Sequence, residues 1–224
     1  MTHRKPKLVP ILALCAISMH DAAGQLLNGQ FVNAKLKNNQ RRIYTVLVLP
    51  AQFNVPKFGA AGSEGRWREA DLLEDFFRVL LRKELATHGA RVLPYAAPED
   101  QSDEACYALA DLQRKYDMVE AMMLQVPKDV TRGRFTLGEA MDAYAPAAPA
   151  DTVVFIRGRT QTYGGWALYG HLGFVDARSG EILALIEFAG SRVSDAVIDA
   201  ALINEHVNMY SFLGPDPFKR PGAK

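Results

Sequence analysis

The sequence has few cysteines, almost no excess charge and no long apolar run, and each shortage excludes a class of protein. Its 224 residues include two cysteines, Cys15 and Cys106, which excludes a fold held together by several disulfides. The 26 lysines and arginines nearly balance 25 aspartates and glutamates. This balance gives no electrostatic reason to expect nucleic acid or an anionic membrane as a partner. The longest apolar run near the N-terminus, Leu8–Met19, is shorter than the about 20 residues of a membrane span.

Motifs that carry chemistry are missing as well. His88, His171 and His206 have no spacing typical of metal ligands, so we expect structural roles for them. Cys106 lies on the apolar stripe of a predicted helix, which favours a buried thiol over a nucleophile. Neither a Gly-x-Ser-x-Gly motif nor a phosphate-binding glycine pattern is present. We therefore expect no enzyme, no catalytic residue, no cofactor and no metal.

The N-terminus has the three parts of a secretory signal. Basic residues come first, the apolar run Leu8–Met19 follows, and small residues stand where a signal peptidase would cut. The basic residues are Arg4, Lys5 and Lys7, and the small ones are Ala22, Ala23 and Gly24. We predict that residues 1–24 are a signal peptide, cleaved after Gly24 or Ala23, and that the mature protein is periplasmic.

Cys15 raises the alternative of an acylated outer-membrane lipoprotein. Leu12 and Ala13 fit the sequence that precedes an acylated cysteine, but Leu14 occupies the position where a small residue is required. This mismatch disfavours acylation. An association with the outer membrane is expected only if Cys15 is acylated.

The middle of the chain predicts a strand, a helix and a second strand. Ile43–Leu49 is an almost continuous β-branched and apolar run, typical of a strand covered on both faces. A loop over Ala51–Gly62 and a helix over about residues 65–88 come next, and Arg91–Pro94 reads as a short second strand. This order implies a parallel crossover. Residues 25–41 are polar, and we expect them to be flexible.

Two helices carry most of the predicted apolar stripes. In the first, Phe76 and Val79 widen the stripe and predict a well-buried helix, while the adjacent Glu74 and Asp75 are expected to face solvent. The second begins after Ser102, a good N-cap, and ends near Gln125 because Val126 precedes a proline. The stripe residues are Trp67, Ala70, Leu73, Phe77, Leu80, Leu81 and Leu85 in the first helix, and Cys106, Leu109, Leu112, Tyr116, Val119 and Met123 in the second. A loop over Lys128–Arg134 and a short helix over Glu139–Tyr144 are predicted to follow.

Three strand-like runs lie within Asp151–Phe188. The turn Asp176–Gly180 has the Asp-then-Gly signature of a hairpin, so the last two strands should be antiparallel. Alternation places Trp166, Leu168, Leu172 and Phe174 on one face and Tyr169 and His171 on the other. We predict one α/β (α+β) domain over residues 42–213, with helices packed on a mixed sheet of about five strands. A helix beginning at Ser194 should close the domain, and residues 214–224 should form a disordered tail.

Aromatic residues and arginines gather at the bend between the first two of these strands. Arg159, Tyr163, Trp166 and Tyr169 are the candidate interaction surface, since these residue types dominate protein-contact hot spots. Packing of the same aromatic side chains over their own sheet is the alternative.

Several short stretches resemble a group of uncharacterised exported bacterial envelope proteins. They are Val48–Pro50, Trp67, Phe135–Gly138, Ala150–Arg157 and Gly173–Glu181. More distantly, the chain is similar to the α/β domain of curli secretion channels, the amino-terminal domain of TolB and the lipoprotein activators of penicillin-binding proteins. The resemblance implies an accessory role in the envelope through protein contact, and it supplies no catalytic residues.

Two functions follow as expectations. The first is a non-enzymatic envelope accessory protein that contacts an envelope protein or assembles with itself. The alternative is a periplasmic binding module for a small molecule or a cell-wall fragment, which would use the aromatic bend and the Ala51–Gly62 loop. An enzyme of unrecognised type is the remaining alternative. A concave pocket with converging polar groups would favour the binding module or an enzyme, and a flat exposed aromatic patch would favour the first function.

Overall fold

The computed structural model describes residues 30–54, 64–96, 101–144, 150–161 and 167–190, with side chains described from residue 73 onward in the first long helix. The predicted signal peptide, Tyr163, Trp166, the helix from Ser194 and the tail lie outside these residues. Seven strands of the described chain join one mixed sheet, in the order β1-β7-β6-β5-β2-β4, with β3 pairing to β5. The prediction of a mixed sheet is confirmed, but the prediction of about five strands is too low.

The described elements follow one another along the chain in a mixed order of helices and strands. They are β1 Gln30–Val32, α1 Ala34–Lys37, β2 Thr45–Val48, β3 Gln52–Asn54, α2 Glu64–Thr87, β4 Arg91–Leu93, α3 Asp103–Gln125, a 3-10 helix Pro127–Arg132, α4 Glu139–Tyr144, β5 Thr152–Gln161, β6 Ala167–Asp176 and β7 Ile182–Gly190. The loop predicted over Lys128–Arg134 is thus a 3-10 helix for most of its length. Pro127 at its start supplies a backbone φ suited to a helical turn.

The predicted strand–helix–strand opening of the domain is confirmed. Strand β2 pairs in parallel with β4 on one side and with β5 on the other. The apolar run that predicted this central strand is buried, from Val46 to Leu49. Parallel partners on both sides and helices on both faces explain why its sequence shows no polar alternation.

The segment expected to be flexible contains two elements. Strand β1 pairs antiparallel with β7, and Leu36 of α1 is buried in the core. Asn33 joins the two, because its side-chain oxygen accepts a hydrogen bond from Lys35 N–H and its amide donates to Glu181 Oε1 at 2.9 Å. The expectation of flexible chain is therefore wrong for residues 30–41. A three-residue strand carries too little local pattern to be recognised, and it forms here because β7 offers an open edge.

The predicted loop Ala51–Gly62 also contains a strand. Strand β3 pairs in parallel with β5, with Phe53 opposite Gly158. As an edge strand it leaves one row of backbone groups without a strand partner. Glu74 of α2 satisfies one of them, because its Oε1 accepts the Phe53 N–H at 3.1 Å. The Glu74 side chain is half-buried, so the expectation that it faces solvent is wrong.

Helices cover both faces of the sheet. Phe77, Leu81 and Leu85 of α2 pack on one face, and α3, the 3-10 helix and α4 pack on the other. Helix α3 begins after Ser102, whose side-chain oxygen accepts the Ala105 N–H. Phe76 and Val79 of α2 are exposed, so the prediction that they widen its buried stripe is wrong. One face of this helix suffices to cover the sheet beneath it.

The antiparallel meander β5–β6–β7 is confirmed. Its second turn closes as predicted, because Asp176 Oδ1 accepts the N–H groups of Arg178 and Ser179, each at 2.9 Å. Gly180 has a φ of +67°, which glycine adopts without strain. Leu168, Leu172 and Phe174 are buried on the α2 side of the sheet. Tyr169 and His171 lie on the α3 side, as alternation requires.

Candidate functional site

A cleft of about 700 Å³ opens beside α3, at the end of the sheet that lies toward the β5–β6 bend. Strand β3 forms one edge of the cleft, and residues of β5, β6 and β7 form its floor. Most side chains of its described lining are polar or charged, and they converge on one space. The lining residues are Gln52, Phe53, Asn54, Glu74, Asp117, Glu120, Leu124, Arg157, Gly158, Arg159, Tyr169, Gly170, His171 and Glu187.

The floor of the cleft continues the sheet face that packs under α3. Residues of this face near the Asp176 turn are apolar and buried, and we call them the apolar half: Val153, Phe155, Val175, Ile182 and Leu185. Further along the same strands the face becomes polar, and we call these residues the polar half: Arg157, Arg159, Tyr169, His171 and Glu187. Strand register holds the polar half together, since Arg157 lies opposite His171 and His171 lies opposite Glu187.

Arg157 is the residue of the polar half that packs against the apolar half. Its guanidinium carbon lies 5.2 Å from the ring centroid of Tyr116 and 5.8 Å from that of Phe155, within cation–π range. Its Nε donates to Asp117 Oδ1 at 2.8 Å, and its Nη1 donates to the Ile156 carbonyl at 3.2 Å. Nη2 also lies 2.8 Å from Oδ1 of Asp117 but has no well-aligned acceptor among the described residues. These contacts fix the buried guanidinium and hold the Asp117 carboxylate at the rim of the cleft.

His171 pairs with a carboxylate of α3. Its Nε2 contacts Glu120 Oε1, and both side chains are largely buried, at 13% and 15% exposure. We expected a purely structural role for this histidine, sharing a face with Tyr169 and Val175. The shared face is confirmed, and the structure places the ring within the lining of the cleft between Glu120 and Glu187.

Two glycines let aromatic rings approach the opposite face of the same strands. Gly158 and Gly170 are cross-strand partners. A Cβ on Gly158 would lie 2.3 Å from the Phe53 ring, and one on Gly170 would lie 2.5 Å from Phe188 and 2.1 Å from the Arg157 carbonyl oxygen. Only glycine leaves room for this approach, so the floor of the cleft is backed by packed aromatic rings.

Tyr116 is fully buried beside Arg157 and belongs to the core next to the cleft. Its ring stacks on Phe155 with centroids 4.0 Å apart, and its hydroxyl lies over Gly173, where a Cβ would come within 1.9 Å of it. The hydroxyl has no hydrogen-bond partner in the described parts of the chain. Burial, together with the nearby Glu120 carboxylate, raises the pKa of Tyr116 far above that of a free tyrosine. It stays protonated and neutral, as part of the core.

Two of the four residues predicted as an interaction surface lie in the described part of the chain, and the prediction itself remains a prediction. Arg159 is exposed, Tyr169 is half-buried, and the two lie opposite each other in the lining of the cleft. Tyr163 and Trp166 lie outside the described residues, so their part remains a prediction. Cys106 is half-buried in α3 and does not belong to the lining.

The acidic residues of the cleft were not predicted. Asp117 and Glu120 are three positions apart in α3, beside the stripe residues Tyr116 and Val119. In the sequence, the only indication that these two residues line a site is that both lie beside a buried stripe. Glu187 interrupts an otherwise apolar strand, and a charged residue among apolar ones in β7 was the clearest available hint. Glu74 and Asn54 become neighbours of the cleft only through the pairing of β3.

The described ranges contain neither a cluster of metal-ligating side chains nor a membrane-spanning helix. No group of three or more histidine, cysteine, aspartate or glutamate side chains there could hold a metal ion. No helix in the described ranges combines the length and apolar character needed to cross a membrane.

Comparisons with known proteins give fold-level similarity only. No protein-family model matches the chain, and no curated protein matches it. Among solved structures, lipoprotein GNA1162 from Neisseria meningitidis is 14% identical, with 66% of this chain and 80% of that chain covered and a TM-score of 0.34. The LpoB C-terminal domain from Salmonella enterica is 13% identical, with 72% and 96% covered and a TM-score of 0.34. A dodecamer of a PelC variant from Paraburkholderia phytofirmans is 12% identical, with 77% and 91% covered and a TM-score of 0.35.

One of these structures, GNA1162, is a lipoprotein, which agrees with the distant similarity to lipoproteins that the sequence suggested. At such identities and TM-scores the similarity assigns neither a partner nor an assembly to this chain.

Proposed function

We propose that the protein is an exported, non-enzymatic accessory protein of the cell envelope that binds a small polar molecule or a cell-wall fragment in the cleft. One observation carries the proposal: charged and polar side chains from α2, β3, α3 and the meander converge on a concave space of about 700 Å³. That volume lies in the range of small-molecule sites. A concave site with converging polar groups is the feature expected of a binding module or an enzyme, whereas a flat aromatic patch is the feature expected of a protein-contact surface.

The pairing of the charged groups in the lining supports binding. Its described residues include no serine, threonine, cysteine or lysine. Arg157 is held by Asp117 and His171 by Glu120, so the strongest charges pair with each other. Groups fixed in this way can orient a ligand and discriminate among ligands, which is what a binding module requires.

Contact with a protein is the second candidate, and a specific surface favours it. Tyr107, Met118 and Met122 of α3 are 75%, 61% and 48% exposed. Met118 and Met122 are four positions apart, and Tyr107 lies about three turns before Met118, so they share the outer face of the helix. Exposed methionine and tyrosine are typical of protein-contact surfaces. A partner protein or a second copy of the chain would seat against this face.

Site-specific photocrosslinking in the native envelope separates the two candidates. A photoreactive residue replaces Asn54 at the edge of the cleft, Met118 on the outer face of α3, or Glu104, which is fully exposed at the start of α3 and serves as the control. The proposal predicts a small mass increase on the protein carrying the Asn54 probe. A protein-sized adduct from Met118 alone would favour the second candidate. The same yield at Asn54 as at Glu104 would contradict a binding role for the cleft.

A further inference from the structure

The charged side chains that α3 contributes to the cleft already have partners. Asp117 pairs with Arg157, and Glu120 contacts His171. An ionic ligand would have to displace one of these partners in order to bind a carboxylate or the guanidinium group. Attraction between opposite charges therefore does not decide which molecule the cleft selects. The hydrogen-bonding groups of the lining decide it.

Each of the two carboxylates has one oxygen left for a ligand. Arg157 donates to Oδ1 of Asp117, and His171 contacts Oε1 of Glu120. Neither Oδ2 of Asp117 nor Oε2 of Glu120 has a hydrogen-bond partner in the described parts of the chain. An ionised carboxylate accepts hydrogen bonds and donates none. The α3 side of the cleft thus suits a ligand that donates.

A row of donor groups lies across three neighbouring strands of the floor. Asn54 of β3 is opposite Arg159 of β5, and Arg159 is opposite Tyr169 of β6. Among the described residues, none of these three side chains has a hydrogen-bond partner. The guanidinium group offers five N–H donors, whereas the amide and the phenol each donate and accept. The floor thus suits a ligand that accepts as well.

The donors and the acceptors lie close together. Arg159 is two residues beyond Arg157 on β5, and Tyr169 is two residues before His171 on β6. Two residue steps along a strand span about 7 Å. Since the carboxylates of α3 contact Arg157 and His171, one ring-sized molecule reaches both the acceptors and the donors.

From this arrangement we propose that the cleft binds an uncharged saccharide. A hydroxyl group donates one hydrogen bond and accepts two, so adjacent hydroxyls of one sugar ring satisfy acceptors and donors at the same time. They donate to the carboxylates of Asp117 and Glu120 and accept from Arg159 and Asn54. The half-buried Tyr169 has an apolar ring, which packs on the C–H face of the sugar. This assignment rests on the proposed function and names the ligand class for the same cleft.

A net charge on the ligand weakens its binding. A carboxylate on the sugar ring would approach Asp117 or Glu120, and an ammonium group would approach Arg159. Like charges placed side by side in a binding site cost free energy. A neutral sugar avoids both contacts, so the cleft distinguishes it from sugar acids and from amino sugars with a free ammonium group.

Calorimetric titration of the purified protein with glucose and three related sugars tests the inference. N-acetylglucosamine keeps the ring neutral, glucosamine adds an ammonium group, and glucuronic acid adds a carboxylate. We expect saturable binding of a neutral sugar and about ten-fold weaker binding of each charged one, because each charged sugar meets a like charge. The ratio of affinities for N-acetylglucosamine and glucose distinguishes cell-wall glycans, which carry acetamido groups, from other saccharides. No binding of either neutral sugar, or equal or tighter binding of a charged one, would overturn the inference.

Two variants locate the contacts. Arg159→Gln and Asp117→Asn should each weaken binding of the neutral sugar about ten-fold, since each removes a hydrogen bond to a charged group. Arg178→Gln in the exposed β6–β7 turn and Asp111→Asn, which changes an exposed, ion-paired aspartate of the same helix α3, are the matched controls. Both controls should bind the sugar as the unmodified protein does. If the cleft variants keep the full affinity while their unfolding midpoints stay unchanged, the assignment is wrong.

The inference and the proposed function fail separately. A small crosslinked adduct from the Asn54 probe that contains no sugar ring would overturn the saccharide and leave the binding function in place. If the Asn54 probe captures no more than the Glu104 control, the proposed function fails as well.

Discussion

The two halves of one sheet face differ in chemistry although the same three strands build both. In the apolar half, Val153, Phe155 and Val175 are completely buried beneath α3. Only a few residues further along, Arg157, Tyr169 and His171 line a cleft. The backbone pairing continues from one half to the other. The difference therefore lies in what covers the strands and in the side chains they present.

Helix α3 contacts both halves of this sheet face. Leu112, Tyr116, Val119 and Met123 form its buried stripe, and Tyr116 stacks on Phe155 as the last aromatic layer of the core. Asp117 and Glu120 lie beside the stripe and contact Arg157 and His171. One helix thus supplies both the cover of the apolar half and the acidic wall of the polar half. We expect the apolar half to carry stability and the polar half to carry binding.

The largest expected effect is on the apolar half. Phe155→Ala removes a fully buried ring that stacks on Tyr116 and should lower the free energy of unfolding by about 3–5 kcal/mol. Chemical denaturation measures the loss. A loss below about 1 kcal/mol would mean that the apolar half does not carry the core.

Substitution of Arg157 tests the contact between the polar half and the apolar half. Arg157→Ala should cost about 2 kcal/mol, mainly because the buried guanidinium and its stem pack against two rings. Asp117→Asn is the matched change, and it should cost about 0–1 kcal/mol because Asp117 is 52% exposed and the ion pair is screened. Denaturation midpoints of both variants check the order. An equal loss of unfolding free energy in the two variants would mean that the ion pair, and not the packing against the rings, provides the stabilisation.

Alkaline pH should weaken the core under α3. Burial, with Tyr95 nearby, raises the pKa of Tyr144 to about 12. The pKa of Tyr144 is higher in the folded state than in the unfolded state, so its neutral side chain contributes stability that is fully present below about pH 10. This contribution falls by about 2 kcal/mol as the pH rises from about 10 to 12. Thermal unfolding across this range should show a smaller loss for Tyr144→Phe. Tyr107→Phe is the control, since Tyr107 is exposed, and it should behave like the unmodified chain.

Tyr116→Phe should stabilise the fold. The hydroxyl is buried without a hydrogen-bond partner among the described residues, and removing an unsatisfied polar group recovers about 1 kcal/mol. The substitution keeps the stacked ring and leaves the cleft-facing carboxylates unchanged. A fall in the melting temperature would indicate that the hydroxyl does have a partner.

The smallest stability effects are expected in the polar half. Arg159→Gln should change the free energy of unfolding by less than about 0.5 kcal/mol, as is usual for exposed positions. Denaturation of this variant beside Phe155→Ala tests the division between the two halves. A destabilisation comparable to that of Phe155→Ala would remove the distinction between a half that carries stability and a half that carries binding.

The sequence predicts the helices and the meander because their patterns are long. The stripe of α3 repeats over about five turns, and the limits of the helix at Ser102 and Gln125 follow from a cap and a proline. The turn at Asp176 was predicted from its own residues alone. Strands β1 and β3 have three residues each, and both depend on edges offered by distant strands. No local pattern could indicate them.

The cleft could be predicted only in part. Arg159 and Tyr169 stand near a glycine-rich bend and were recognised by residue type. Asp117, Glu120 and Glu74 come from helices far away in the chain, and they reach the cleft because of how α3 and α2 lie across the sheet. That placement depends on long-range packing, which apolar periodicity does not encode. His171 could not be assigned to a site before its acidic neighbours were known.

Amide chemical-shift mapping by NMR during a titration with soluble cell-wall fragments measures where on this sheet face a ligand binds. We expect the amides of Tyr169, His171 and Glu187 to shift in a saturable way, while those of Val153 and Leu185 on the same strands and the same face stay in place. Shifts concentrated in the apolar half, or no saturable shift in the polar half, would contradict a binding role for the cleft.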